Sequence, residues 1–320
     1  MRVAILDDYA GLALRYADFA RLGPDVTVDV FRDPLPSLED AVQRLADYEV
    51  ICLMRERTDF PAALIERLPR LKLIAMTGSK NRKLDIAAAT RQGITVCTSP
   101  GSTQGTTNTA ELAWGLLLAV ARRIPSEEAR LRSGAWQSDA GTTLNGRRLG
   151  LIGFGRVGQQ VATYAHAFGM DILAWSPHLT QDRLAGHNGV QLATLDEILS
   201  TSDAISLHIV LGEATKNLIG EPEIARMKPG AMLINTSRAG LIDEPALLAA
   251  LHAGRIRAGL DVFPIEPLPA QSPYHTLPNC VLTPHLGYVT EDTMASFYQG
   301  TLEVIEAYRR QAPIRVVDAA

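Results

Sequence analysis

A glycine-rich turn set between an apolar run and an amphipathic helix constrains this chain more than any other feature. Residues 149–158 read Leu-Gly-Leu-Ile-Gly-Phe-Gly-Arg-Val-Gly, so Gly153, Gly155 and Gly158 form a GxGxxG pattern. Alone, such a pattern is an ordinary tight turn; its setting gives it more weight. The apolar run before it reads as a buried strand, and Val157, Val161, Ala162 and Ala165 after it share one helical face. Gly153 then permits the turn, Gly155 lets the backbone approach a pyrophosphate, and Gly158 allows close helix–strand packing. Phe154, Arg156 and Val157 complete the loop, while the helix N-terminus offers N–H donors and a favourable dipole. The expectation is a dinucleotide site.

Such a site usually adds an acidic residue about 20 positions on, at the end of the second strand, for the ribose hydroxyls. Here residues 171–176 read Asp-Ile-Leu-Ala-Trp-Ser, with Asp171 at the strand's start and Ser176 where the acid is expected. A 2′-phosphate is not repelled there, yet no adjacent Arg or Lys welcomes it. His178 and Arg183 are candidate phosphate partners and equally ordinary loop residues. NAD is the expected cofactor, with NADP left open.

Short β-branched runs alternate with helical patterns along the whole chain. Val3–Leu6, Val26–Val30, Val50–Cys52, Leu73–Ala75 and Ile94–Cys97 read as strands, with helical spacing over 37–47 and 61–67. A loop-rich stretch from Ser99 leads to a helix over 109–123 whose leading face is almost wholly apolar. It must be buried, in the core or against a second subunit. A second series of strands follows near 148–152, 172–175, 204–207, 231–235, 256–260 and 281–283. Buried strands separated by helices predict parallel sheets covered on both faces. The fold class expected is α/β, with two parallel-sheet lobes joined by a helical insert.

Composition closes off other classes. Thirty-one Lys and Arg against 35 Asp and Glu leave a net charge of −4 with no basic block, which argues against nucleic-acid and membrane-surface partners. Cys52, Cys97 and Cys280 are odd in number and form no CxxC, so neither a disulfide framework nor a metal site is expected. The N-terminus meets Asp7 and Asp8 after four apolar residues, unlike a signal peptide. Residues 112–121, the most apolar stretch, fall short of the ~20 a membrane span needs. A soluble, cytoplasmic protein is expected.

Three late strands each deliver a reactive group where ligands of a parallel sheet collect, beyond the carboxyl ends. The strand at 231–235 is followed by Thr236, Ser237 and Arg238; that at 256–260 by Asp261 and Glu266; that at 281–283 by His285. Singly, each is an unremarkable surface or turn residue. Together they suit acid–base work on a carbonyl acid. A guanidinium holds a carboxylate bidentately, and an imidazole beside a carboxylate carries a proton near neutrality.

The segments GLIGFGRVGQQVA, LINTSRAGLIDEPAL, GLDVFPIEP and LTPHLGY, in this order and spacing, resemble those of the D-isomer-specific 2-hydroxyacid dehydrogenases. That resemblance implies a nucleotide-binding domain over 100–288 inserted into a substrate domain made of 1–99 and 289–320. The helix over 109–123 would join a homodimer interface. Arg238 would bind the substrate carboxylate, His285 would exchange the proton, and Glu266 would polarise His285. Thr236, Ser237 and Asp261 would line the nicotinamide side, with His208 and Ser176 on the adenosine side. The partner implied is a small anionic 2-hydroxy or 2-oxo acid.

Departures from the family pattern bear on the substrate. The loop over 77–83 reads Thr-Gly-Ser-Lys-Asn-Arg-Lys, with Lys80 and Asn81 in place of the usual glycine and aspartate. Backbone N–H groups of Gly78 and Ser79 remain candidates for a carboxylate. Lys80 adds a cation suited to an acidic substrate, or belongs to a plain solvated loop. Residues 54–58 fall where relatives carry an arginine-bearing substrate loop, which nominates Arg55 or Arg57. Val210 replaces a customary proline after His208. A phosphoglycerate dehydrogenase-like role is one option, though 320 residues are read as leaving no room for the regulatory domain many of those enzymes append. Formate oxidation is disfavoured, since those relatives carry glutamine where Glu266 stands. The alternative from another class is a non-enzymatic NAD(H)-sensing protein, as in the family's corepressor branch.

Overall fold

Runs such as Val50–Leu53 and Leu73–Thr77 are buried at every position, so they have no polar face to offer water and sit inside sheets covered on both sides. The computed structural model describes residues 1–102 and 104–317, which divide into two units: Met1–Thr103 with Thr290–Ala320, and Gln104–Val289.

The first unit holds β1 (Arg2–Ile5), β2 (Thr27–Val30), β3 (Val50–Leu53), β4 (Leu73–Thr77) and β5 (Thr95–Ser99), paired in parallel in the order β2-β1-β3-β4-β5. This is the flavodoxin-like order, which reverses direction between β1 and β3. The helix Glu291–Arg309, nearly 200 residues later in sequence, packs on β4 and β5 and buries Phe297, Tyr298, Leu302, Val304 and Ile305. Two buried hydrogen bonds fasten it: Ser99 Oγ donates to the Phe297 carbonyl (2.7 Å) and Tyr298 Oη donates to Asp8 Oδ1 (3.0 Å).

The second unit holds β6 (Arg148–Ile152), β7 (Asp171–Trp175), β8 (Val190–Leu192), β9 (Ala204–Leu207), β10 (Met232–Asn235), β11 (Arg257–Leu260) and β12 (Cys280–Leu282). All pair in parallel in the order β12-β11-β10-β9-β6-β7-β8, the doubly wound arrangement with its switch between β6 and β9. One apolar layer gathers around Ile152, Ile205, Leu233 and Leu260, the other around Leu117, Leu151, Val161 and Ile234.

The apolar helix runs over Gly105–Arg122, so residues 105–108, expected as loop, form its first turn. Thr106, Thr107 and Asn108 are tolerated there because first-turn N–H groups lack helical partners anyway. Its Ala113, Trp114, Leu116, Leu117 and Val120 are spent on the second unit's own core, against β10, β11 and the helix Arg156–Ala167. Just beyond it, Ile124, Leu131 and Trp136 (74% exposed) are among the large apolar side chains left exposed. The helix Ile124–Arg132 buries nothing, so no apolar stripe announced it. Among the described residues no helix is long and apolar enough to cross a membrane. Burial pushes the Cys52 and Cys280 thiols up to about 12, which keeps them protonated.

Tyr298→Phe removes one donor from a buried carboxylate, a loss of about 1–3 kcal/mol. Urea unfolding followed by a probe in the first unit is expected to show a lower midpoint with an unchanged slope.

Candidate active site

Strand register brings the chemistry of the second unit to one rim. Trp175, Ile152, Leu207, Asn235, Leu260 and Leu282 lie level across the sheet, each paired with the next. The residue following each is therefore at the carboxyl edge: Ser176, Gly153, His208, Thr236, Asp261 and Thr283. Five of those six positions were expected to matter from sequence.

At the glycine turn, each glycine answers to a different constraint. Gly153 has φ +102°, and a Cβ there would lie 2.4 Å from the carbonyl carbon of His208. Gly158 lies under the turn, where a Cβ would come within 2.2 Å of the Gly153 oxygen. Gly155 meets nothing within 4 Å, so the fold makes no packing demand on it. The helix Arg156–Ala167 begins there without a side-chain cap, leaving first-turn N–H groups of Arg156 and Val157 turned outward. An open glycine before an uncapped helix N-terminus fits a dinucleotide pyrophosphate. The hydroxyl of Thr236 fits as well: it is buried and has no hydrogen-bond partner among the described residues.

Ser176 accepts a hydrogen bond from the Phe154 N–H (3.0 Å), which fixes it beside the glycine turn. His208 Nε2 lies 2.8 Å from Ser206 Oγ, and desolvation of the ring lowers its pKa to about 4, so it is neutral at physiological pH. The Thr236–Arg238 turn is stapled by Asn235, which sequence reasoning overlooked. Asn235 Oδ1 accepts from the Ser237 N–H (3.0 Å) and Nδ2 donates to the Arg238 carbonyl (2.9 Å). Ser237 Oγ donates to the Ile209 carbonyl (2.8 Å), so its hydroxyl proton is committed to the fold. A polar residue ending a wholly apolar strand was the available signal for Asn235.

His285 and Glu266 meet directly. Nδ1 of His285 lies 2.6 Å from Oε2 of Glu266, whose Oε1 accepts the Phe263 N–H at 2.9 Å. Burial pushes the Glu266 carboxyl up, but the His285 hydrogen bond and charge, the Phe263 N–H and the nearby Arg238 charge outweigh it. The net effect holds Glu266 below the usual carboxylate range. With Nδ1 turned to the carboxylate, Nε2 is the nitrogen available for proton exchange.

Asp261 ties the end of β11 to the loop after β12. It is fully buried (0% exposed): Oδ1 takes the Thr283 hydroxyl (2.6 Å) and the Leu286 N–H (2.7 Å), and Oδ2 takes the Gly287 N–H (2.9 Å). Both oxygens accept from the loop that carries His285, so Asp261 positions that loop.

In the first unit, β4 runs into the 77–83 loop. The Gly78 N–H donates to the Ser99 carbonyl at 2.7 Å, so it is not free for a substrate carboxylate, contrary to expectation. The Ser79 N–H has no partner among the described residues. Ser79 and Lys80 are exposed. Arg57 is engaged by the fold, its Nη1 donating to the Asp7 carbonyl (2.6 Å) and its guanidinium 4.9 Å from the Tyr9 ring centre. Arg55 instead extends its guanidinium over Gly78.

A family model described as "D-isomer specific 2-hydroxyacid dehydrogenase, NAD binding domain" matches residues 114–287. The chain is 40% identical over 258 residues to a D-3-phosphoglycerate dehydrogenase of Methanocaldococcus jannaschii, covering 79% of this chain and 48% of that one. It is 39% identical over 259 residues to a hydroxypyruvate reductase of Thermotoga maritima, covering 79% and 83% respectively. Among solved structures, a phosphoglycerate oxidoreductase from Vibrio cholerae is similar at 35% identity and TM-score 0.89, over 98% of this chain and 100% of that one. The chain belongs to the D-isomer specific 2-hydroxyacid dehydrogenase family. It spans about half the length of the phosphoglycerate dehydrogenases it matches. The family model covers all six rim positions of the second unit, from the glycine turn to Thr283, and His285 with them.

In a chain of this family the glycines can be separated by experiment. Gly158→Ala is expected to destabilise the second unit, because its Cβ meets backbone. Gly155→Ala is expected to leave the melting temperature within a few degrees while weakening NADH binding, read by the fluorescence of the bound dinucleotide.

Proposed function

We propose that the chain interconverts a small D-2-hydroxy acid and its 2-oxo acid, using a nicotinamide dinucleotide as hydride carrier. The observation that carries this reading is the 2.6 Å His285–Glu266 pair on the same sheet edge as an open glycine turn. In this reading the second unit holds the dinucleotide through Gly153, Phe154, Gly155, Arg156, Val157 and Gly158. Ser176 and His208 stand on one side of that turn and Thr236 and Ser237 on the other. The bound cofactor supplies the hydride; the chain's residues orient the substrate and manage charge and the proton.

Arg238 offers a planar fork of N–H donors to the substrate carboxylate. Nε2 of His285 gives its proton to the ketone oxygen during reduction and takes the hydroxyl proton during oxidation. Glu266 stays ionised and stabilises the imidazolium that precedes proton transfer. The relatives named for phosphoglycerate and hydroxypyruvate support a short, anionic 2-oxo acid. Arg55, Ser79 and Lys80 of the first unit are the remaining candidate substrate contacts. NAD is the carrier expected, and Ser176 presents no carboxylate against the 2′-phosphate of NADP.

Initial rates with NADH and NADPH against glyoxylate, hydroxypyruvate, pyruvate and 3-phosphohydroxypyruvate test the reading. No turnover with any of them would sink it. His285→Gln is expected to lower kcat by about 10²–10⁴-fold while leaving NADH affinity near that of the wild type.

The pH dependence follows from Glu266. A carboxyl held below its ordinary pKa contributes pairing energy that is complete above the ordinary carboxylate range and is lost as pH falls through the lowered value. Across neutral pH Glu266 is therefore ionised beside His285 Nδ1. Glu266→Gln is expected to lower kcat for reduction and to flatten the acid limb that protonation of Glu266 produces, read from the kcat profile across acidic pH.

A further inference from the structure

The conformation of Arg55 is enforced from every side. It follows β3 with φ +53°, a backbone region that non-glycine residues rarely occupy. Its N–H donates to Thr77 Oγ1 at 2.8 Å, and its carbonyl accepts from Asn81 Nδ2 at 2.8 Å. Thr77 and Asn81 are both buried, and Asn81 Oδ1 also takes the Lys83 N–H at 2.9 Å, which locks the amide's orientation. The far end of the same turn is anchored on Asp7. Thr58 Oγ1 donates to Asp7 Oδ2 (2.8 Å), Arg57 reaches the Asp7 carbonyl, and the Arg57 N–H closes back on the Met54 carbonyl at 3.2 Å. Asp7 itself has φ +58° and is buried.

All this ordering ends in one guanidinium. It lies over Gly78, where a Cβ would sit 1.6 Å from Nη1, so only glycine leaves room for it. It is partly buried, and no carboxylate pairs with it among the described residues. It stands at the carboxyl edge above β3 and β4, the side of the sheet on which ligands of parallel sheets collect. Backbone held in a sparsely populated region costs of order 1–3 kcal/mol and persists only where its surroundings over-determine it. Here that ordering serves no ion pair within the unit.

We propose that Asn81 and Thr77, backed by Asp7, are positioning residues that preset Arg55 to grip an anionic group of the substrate, a carboxylate or a phosphate. This rests on the 2-hydroxy acid reading above. A side chain launched from a fixed backbone loses less freedom on binding than one on a mobile turn, so the positioning residues act on substrate affinity and not on the proton-transfer step.

A double-mutant cycle tests this. Arg55→Ala, Asn81→Ala and the double variant are compared for KM and kcat with glyoxylate and 3-phosphohydroxypyruvate, and for NADH affinity. Calorimetric titration of 3-phosphoglycerate in the presence of NADH, a pair with no hydride acceptor, reads the same cycle without turnover. Asn81→Ala is expected to raise KM and the calorimetric Kd by about tenfold, with kcat and NADH affinity within twofold. In the Arg55→Ala background it is expected to add nothing further. Additive effects, or an unchanged KM and Kd in Asn81→Ala, would overturn the proposal. If Asn81→Ala does not fold, Thr77→Val removes the other bond to Arg55 and is put through the same cycle. A rise with both oxo acids identifies the group held as the 2-oxo carboxylate; a rise confined to 3-phosphohydroxypyruvate identifies the phosphate. A wild type that binds NADH and 3-phosphoglycerate but turns over no oxo acid would defeat the catalytic reading alone, while the calorimetric cycle still decides the role of Asn81.

Discussion

An ionised carboxylate removed from water costs several kcal/mol unless donors replace the solvent around it. Asp261 meets that cost with one hydroxyl and two backbone N–H groups, all from the stretch Thr283–Gly287. Burial pushes its carboxyl up, against the pull of those hydrogen bonds. The arrangement ties the end of β11 to the loop after β12. His285, within that loop, adopts φ +55°, a conformation the neighbouring N–H bonds hold in place. Its Nδ1 is thereby delivered to Glu266, which sits on the segment after β11. The catalytic pair therefore depends on a residue that need not touch a substrate.

The same logic explains which parts of the site could be read from sequence. Apolar runs locate strands, so Gly153, Ser176, Thr236 and Asp261 were legible as strand-end residues, while His208 entered through the family resemblance and the common rim emerges only from the register. Partners of the side chains were not legible. The nicotinamide role of Asp261 came from the family resemblance alone; its bonds to the loop that carries His285 depend on the loop's path, which no sequence pattern encodes. Gly78 was nominated as an anion-binding amide from its place in the family's substrate loop, and the neighbouring β5 strand end takes its N–H instead. Asn235 passed unnoticed, and Asn81 was noted only as a departure from the family pattern, because an amide that bonds backbone has no spacing rule to betray it.

Helices show a parallel limit. The helix Gly105–Arg122 was recognisable by its apolar face, and its burial within the second unit's core follows from that face. The helix Ile124–Arg132 has no such face and its ordering comes from polar contacts, including Glu127 to Ser138. Periodicity detects burial, and an element that buries nothing leaves no period.

Strained backbone is the feature the two units share. Asp7 and Arg55 in one, His285 in the other, are non-glycine residues at positive φ, and each lies just beyond the carboxyl end of a parallel strand. A side chain leaving a strand in the ordinary extended conformation continues the sheet's alternation, pointing up or down across its faces. Turning the chain into the left-handed region breaks that alternation and can aim a side chain along the strand axis, toward the edge where ligands bind. The cost is met by neighbouring side chains: Asn81 and Thr77 for Arg55, Thr58 and Tyr9 for Asp7, Asp261 for the His285 loop. Substituting those neighbours would leave the chemistry in the sequence and remove it from the rim, which is why the positioning residues, and not only the ionisable ones, define this site.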